Sequence, residues 1–194
     1  MGSFPAVAGE DAAYPRFYTC SCPRRSVPAF ELEDLLPRVT VNNVVVTPSL
    51  VANGGFEGTP SPWAFSGHAS WASGTAHTGS RYALLGNRNR ANGSVSQSGT
   101  ISATATGSLT FWLSVTSNDS SSSATDIFYV EVVEGSSTSL LGTFSNVNKG
   151  AAGVYSMKSF SVALWRGKTV TLRFRATTNN KQATSFYVED VSLQ

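Results

Sequence analysis

Apolar side chains fall on every second position in four runs of the C-terminal half. They are Leu109-Phe111-Leu113-Val115, Phe128-Val130-Val132, Val170-Leu172-Phe174-Ala176 and Phe186-Val188 followed by Val191-Leu193. A repeat of two is that of a strand with one face buried. The last run changes phase between Val188 and Val191, which predicts a bulge at Glu189-Asp190. Shorter segments at 63–65, 68–71, 80–85, 93–101, 142–144 and 158–164 read as further strands between Gly and Ser turns. Residues 50–56 read as an opening strand interrupted by Asn53-Gly54-Gly55, and the serines at 120–123 as a loop. With no convincing helix, residues 48–194 are expected to form an all-β sandwich or barrel.

Residues 1–47 are different and are expected to be an irregular extension or linker. Five of the eight prolines and both cysteines lie there. Residues 29–36 could form two helical turns stopped by Pro37. Residues 39–46 are β-branched and align with 187–193, as the end of a truncated upstream copy or as a linker strand would. Cys20 and Cys22 are too close for an unstrained disulfide, and His68 and His77 are far off in sequence as zinc partners.

Composition narrows the function. Only 13% of residues are charged, about half the usual share, and Ser, Thr, Gly and Asn replace them, as in extracellular β-proteins. A net charge of +2, with Arg88 and Arg90 an isolated pair, argues against nucleic-acid or membrane partners. The start carries no secretion signal and no apolar run is long enough to span a membrane. A fragment of a secreted chain, or a start site that is not the natural one, is the expectation, with the protein monomeric or part of a larger multidomain chain.

The outward side of the strands carries Trp112, Ser114, Tyr129, Glu131, Arg173, Arg175, Ser185 and Tyr187. Aromatic planes interleaved with hydrogen-bonding groups suit the apolar faces and hydroxyls of a sugar. Trp112, Tyr129, Glu131, Arg173, Arg175 and Tyr187 are therefore the candidate ligand residues; a cross-strand pairing of Glu131 with an arginine is the alternative. Trp63, Trp71 and Trp165 lie near turns, where they could line a cleft rim or, more commonly for such residues, cover the end of the core. No catalytic residues are expected: there is no nucleophile elbow, glycosidase carboxylate pair or phosphate loop.

Taken together, Asn53-Gly54-Gly55-Phe56-Glu57 with Trp63, His77-Thr78-Gly79-Ser80 with Ala83-Leu84-Leu85, Gly93 to Gln97, Gly167 to Phe174 and the 187–193 ending resemble carbohydrate-binding module families 4, 9 and 22. The resemblance covers about residues 50–194. It implies a two-sheet antiparallel jelly-roll β-sandwich of the galactose-binding-like type, appended to secreted bacterial enzymes. It also implies a structural calcium held by Glu57 and Asp190, with backbone oxygens near Gly55 and Ser80. Hard oxygen donors suit that ion; without it the two carboxylates would be solvated or bonded to turn amides. Glu189 stands where many relatives carry a first aspartate. The implied role is non-catalytic binding of a polysaccharide or glycan at the cell surface or outside the cell. The alternative is a structural or adhesive spacer with no ligand of its own.

Overall fold

A computed structural model describes residues 50–194; the readings of 1–47, including both cysteines and the 39–46 strand, lie outside the described residues. Ten strands follow in order: β1 (Ala64–Gly67), β2 (Ala69–Ser73), β3 (Arg81–Gly86), β4 (Asn92–Thr100), β5 (Ser108–Ser117), β6 (Ile127–Glu134), β7 (Ser137–Ser145), β8 (Ser156–Ser161), β9 (Thr169–Thr177) and β10 (Thr184–Leu193). Among the described residues the helical pieces are two short 3-10 turns, Asn146–Asn148 and Ala163–Trp165. One five-stranded sheet has the order β1-β4-β9-β6-β7 and the other β2-β3-β10-β5-β8, with antiparallel pairing throughout. The result is an all-β jelly-roll sandwich.

The alternating apolar positions meet between the sheets. Phe128 and Phe174 from the first sheet interlock with Phe111 and Phe186 from the second. Ring centroids lie 4.9 Å apart for Phe111–Phe174 and 5.4 Å for Phe128–Phe186, and all four rings are fully buried. Burying such a side chain contributes about 1.5–3 kcal/mol, so these four rings form a major fastening between the layers.

Residues 50–57 are not a strand. They form a loop in which Asn53 (φ 50°) and Phe56 (φ 56°) take the left-handed conformation. Packing explains it: the Phe56 ring is driven into the core, 5.1 Å from Trp63 and 6.3 Å from Phe65. Two indoles then fix the loop's carbonyls, Trp63 Nε1 donating to Asn53 O (2.9 Å) and Trp71 Nε1 to Phe56 O (2.7 Å). Trp63 and Trp165 are buried in the core, and Trp71 packs against it.

The bulge falls where the phase change puts it. Pairing of β10 with β5 shifts register between Glu189 and Ser192, and Asp190 sits at φ 47°.

Candidate functional site

The bulge and the 53–57 loop are joined directly. Val191 N–H donates to Gly54 O at 3.0 Å. A Cβ placed on Gly55 would lie 3.4 Å from Asp190 Oδ1, 3.8 Å from Glu189 Oε1 and 4.0 Å from Glu57 Cγ. The Asp190 and Glu189 carboxylates and the stem of Glu57 border one glycine. Glu189, not among the expected ligands, stands beside Asp190, whereas the Glu57 carboxyl turns to the 79–81 backbone.

The loop between β2 and β3 closes over this cluster. Thr78 donates its N–H to Glu189 Oε2 (2.7 Å) and its hydroxyl to Asp190 Oδ1 (2.8 Å), while His77 Nδ1 lies 2.6 Å from Asp190 Oδ2. Glu57 accepts from the backbone N–H groups of Ser80 and Arg81, both at 2.7 Å, and those bonds hold its carboxyl below the usual range. Ser80 also offers Glu57 its hydroxyl, at 3.3 Å. Glu189 is fully buried; burial pushes its carboxyl up against the Thr78 hydrogen bonds, and the Asp190 charge adds to the rise. A buried carboxylate beside a second one is costly unless a cation or further donors compensate it. His77, Glu189 and Asp190 each place a ligand atom within 4.8 Å of the others.

The expected single ligand face is split between the two sheets. Trp112 and Tyr187 lie on β5 and β10, whereas Tyr129, Glu131, Arg173 and Arg175 lie on β6 and β9 of the other sheet. Their outward sides are opposite surfaces of the sandwich. Alternation distinguishes inward from outward but carries no record of which sheet a strand joins.

On the β5–β10 surface a cleft of about 190 Å³ opens beside the acidic cluster. Its floor is Ser114 and Thr116 of β5 with Tyr187 of β10, and Tyr82 of β3 borders it. Gly153 and Tyr155, from the segment between β7 and β8, close the other side against Thr75. Tyr155 Oη donates to Thr75 O at 3.1 Å and Tyr82 Oη to Ser73 O at 3.1 Å. The Thr116 hydroxyl reaches Tyr187 Oη at 3.4 Å. Tyr82 and Tyr187 meet edge to face with centroids 5.3 Å apart. Burial raises the phenols of Tyr82 and Tyr155 above their ordinary value, so both stay neutral at physiological pH.

Ser114 stands out on that floor. It is 2% exposed, and among the described residues its Oγ is the one buried side-chain polar atom with no hydrogen-bond partner. Leaving such a group unpaired costs about 1–3 kcal/mol. Trp112 is not an open platform: the His77 ring stacks on it at 3.7 Å, and Tyr155 lies 5.9 Å from His77.

On the opposite surface the other four candidates mostly satisfy one another. Arg173 Nε and Arg175 Nη2 donate to the two oxygens of Glu131 at 2.7 and 2.8 Å, and the Arg175 guanidinium lies 3.9 Å over Tyr129. Burial alone would push the Glu131 carboxyl up, but the Arg175 and Arg173 hydrogen bonds outweigh it and hold it below its ordinary 4.5. A lowered folded-state value means the stabilisation is complete above that ordinary value and disappears as pH falls through the depressed one. Glu131→Gln is expected to cost about 1–3 kcal/mol at pH 7. Urea titrations from pH 6 down to 2 should show the gap from wild type closing with acid; a constant gap would refute the ionic account.

No protein-family model matches the chain, and no curated protein matches it. Solved structures do. A carbohydrate-binding module described as TmCBM61 in complex with β-1,4-galactotriose superposes with a TM-score of 0.55 at 14% identity, over 76% of this chain and 99% of that one. A structure from carbohydrate-binding modules of the β-sandwich superfamily gives 0.50 at 16%, over 77% of this chain and 63% of that one. The K2 cleaved adhesin domain of Lys-gingipain gives 0.50 at 13%, over 76% and 98%. The fold is one that carbohydrate-binding modules adopt. At these identities the likeness is one of fold.

Two mid-chain acids are engaged within the sandwich. Asp126 is buried and accepts from Asn179 N–H (2.7 Å) and the Thr184 hydroxyl (2.6 Å); Glu134 pairs with Lys168 at 3.0 Å. Tyr82, Tyr155 and Glu189, which line this cleft and cluster, are not among the sequence candidates, and Ser114 is read there as outward but not as a candidate. Alternation along β3 and β5 places Tyr82 and Ser114 outward and could have raised them; Tyr155 lies outside any periodic run.

Proposed function

We propose that residues 50–194 are a non-catalytic glycan-binding module whose ligand enters the Tyr82–Ser114–Tyr187–Tyr155 cleft. The observation that carries this is the unpartnered, buried Ser114 hydroxyl on a floor bordered by three phenol rings. An aromatic wall accepts the C–H face of a pyranose ring and a fixed hydroxyl takes one of its OH groups. The module folds of the solved structures support the reading, as does the resemblance to families 4, 9 and 22. On this reading the module works outside the cell or on its surface, alone or within a larger chain, with a polysaccharide or glycan as partner and neither nucleic acid nor membrane.

The acidic cluster fits a calcium ion. The Glu189 and Asp190 carboxylates, with His77 beside them, would supply hard oxygen donors of the kind calcium takes, and the expected Glu57, Gly55 and Ser80 oxygens would have to complete the shell. The ion would neutralise the converging charge and fasten the 53–57 loop to the β10 bulge; its role is structural.

Binding is tested against insoluble polysaccharides and a glycan array. Each aromatic contact contributes on the order of 1 kcal/mol, so micromolar to millimolar affinity is expected. Tyr187→Ala should weaken it about five- to tenfold. Tyr129→Ala, on the opposite surface, should bind as wild type does. Absence of binding by wild type, or equal binding by Tyr187→Ala, would overturn the assignment.

A further inference from the structure

The cleft's size and lining say what kind of sugar it takes. Resting on the glycan-binding reading above, we infer that the cleft is a subsite for a single, uncharged pyranose residue, terminal or pendant on its chain, with Ser114 as the group that reads one of its hydroxyls.

Three observations carry this. The first is volume: about 190 Å³ is below the roughly 300–1,000 Å³ of pockets that enclose drug-sized ligands, and leaves room for about one ring. Tyr155, bonded to Thr75 across the β5–β10 surface, bounds one side. A Cβ on Gly153 would lie only 2.9 Å from Thr75 Cγ2, so the two segments are already in close contact there. A chain running through in that direction would have to part them.

The second is charge. Among the described residues none that lines the cleft is ionic, and the nearby described arginines are otherwise engaged. Arg81 lies 4.1 Å over Trp71, and Arg173 and Arg175 are on the other surface with Glu131. A uronate or sialate carboxylate entering this cleft would shed water with no cationic partner, which is strongly unfavourable. An uncharged ring loses only hydroxyl hydration, which phenol and serine oxygens can replace.

The third is the hydrogen-bond inventory. Two of the three phenols already donate to backbone carbonyls, at Ser73 and Thr75. The free capacity converging on the cleft is the Ser114 hydroxyl together with what Tyr187 retains beside Thr116. A site built to bond a substrate hydroxyl discriminates strongly against analogues lacking it, because its own polar group is otherwise stranded.

The test uses the full chain and an array pairing neutral sugars with their uronic acids, followed by calorimetry on the best neutral hit. The matching monosaccharide should bind within about threefold of an oligosaccharide ending in it, and the uronic acid at least about tenfold more weakly. Ser114→Ala should lose about five- to tenfold in affinity, while its thermal midpoint stays equal to wild type or rises, since the substitution removes a stranded hydroxyl. Ser114→Thr, which keeps the hydroxyl, should retain more binding than Ser114→Ala if the added methyl is accommodated; a matching loss in both with unchanged melting would point to shape and overturn the reader role. Equal affinity for the uronic acid, or affinity climbing steeply with chain length, would overturn the single neutral residue while leaving glycan binding intact. Binding to no sugar at all would overturn the functional reading itself.

Discussion

Gly54→Ala is expected to cost about 4 kcal/mol or more, the range reached by few single substitutions, lowering the melting midpoint by roughly 8–16 °C or preventing folding. A Cβ at that position would lie 1.8 Å from Val191 O and 2.8 Å from Val191 C. The obstacle is backbone on both sides, so no rotamer change relieves it. Moving the loop away would break the Val191 N–H bond to Gly54 O. It would also strain the carbonyl anchors that Trp63 and Trp71 make on either side. Phe56, held in the core by the same loop, would follow. Gly150→Ala is the control: nothing lies within 4 Å of its Cβ position, its N–H bond to Val115 O is retained, and the smaller unfolded-state entropy favours folding slightly, by about 0.4–1 kcal/mol. Urea denaturation of both variants decides the matter. A Gly54→Ala protein as stable as wild type would show that the joint between the opening loop and the closing bulge is not a structural keystone.

That joint was partly visible in the residue pattern. Side chains alternate strictly on a strand, so the phase break between Val188 and Val191 could be read as a bulge, and Asp190 duly leaves the ladder there. The strand segments emerged for the same reason. The opening loop did not: its apolar residues Leu50, Val51 and Phe56 suit a strand, and only the buried Phe56 ring with its positive φ shows why they form none. The sheet assignment was equally hidden. Arg173 and Trp112 both point outward by parity, and only the long-range pairings that place β9 beside β6 and β10 beside β5 separate them. Glu189 shows a third limit. It is outward by parity, paired opposite Trp112, yet fully buried because residues from the β2–β3 connection are laid over it. The cleft is formed in the same way, its Tyr155 side delivered by a segment with no periodic signal.

The acidic cluster yields the second large effect. Glu189 and Asp190 come together beside Gly55, with the stem of Glu57 at its edge, and the donors to the three carboxylates are Thr78, the Ser80 and Arg81 N–H groups, and His77. Those hydrogen bonds offset part of the repulsion, but Glu189 is wholly shielded from water and sits next to a second acid. A ligand that binds the folded state alone stabilises it by about 2.7 kcal/mol at a hundred times its dissociation constant. Calcium at that excess should therefore raise the melting midpoint by roughly 5–10 °C over chelator-treated protein. Asp190→Asn and Glu189→Gln should each shrink that increment, because each removes one charged donor from the same shell. The substitutions also separate two accounts of the cluster. If a cation holds it, each variant is less stable than wild type in calcium. If protein hydrogen bonds suffice, removing a charge relieves repulsion, and Glu189→Gln melts at or above wild type in chelator and in calcium alike. A midpoint indifferent to calcium, together with that second outcome, would sink the cation site. It would leave the bulge joined to the opening loop by the Gly54–Val191 bond and to the β2–β3 connection by Thr78 and His77.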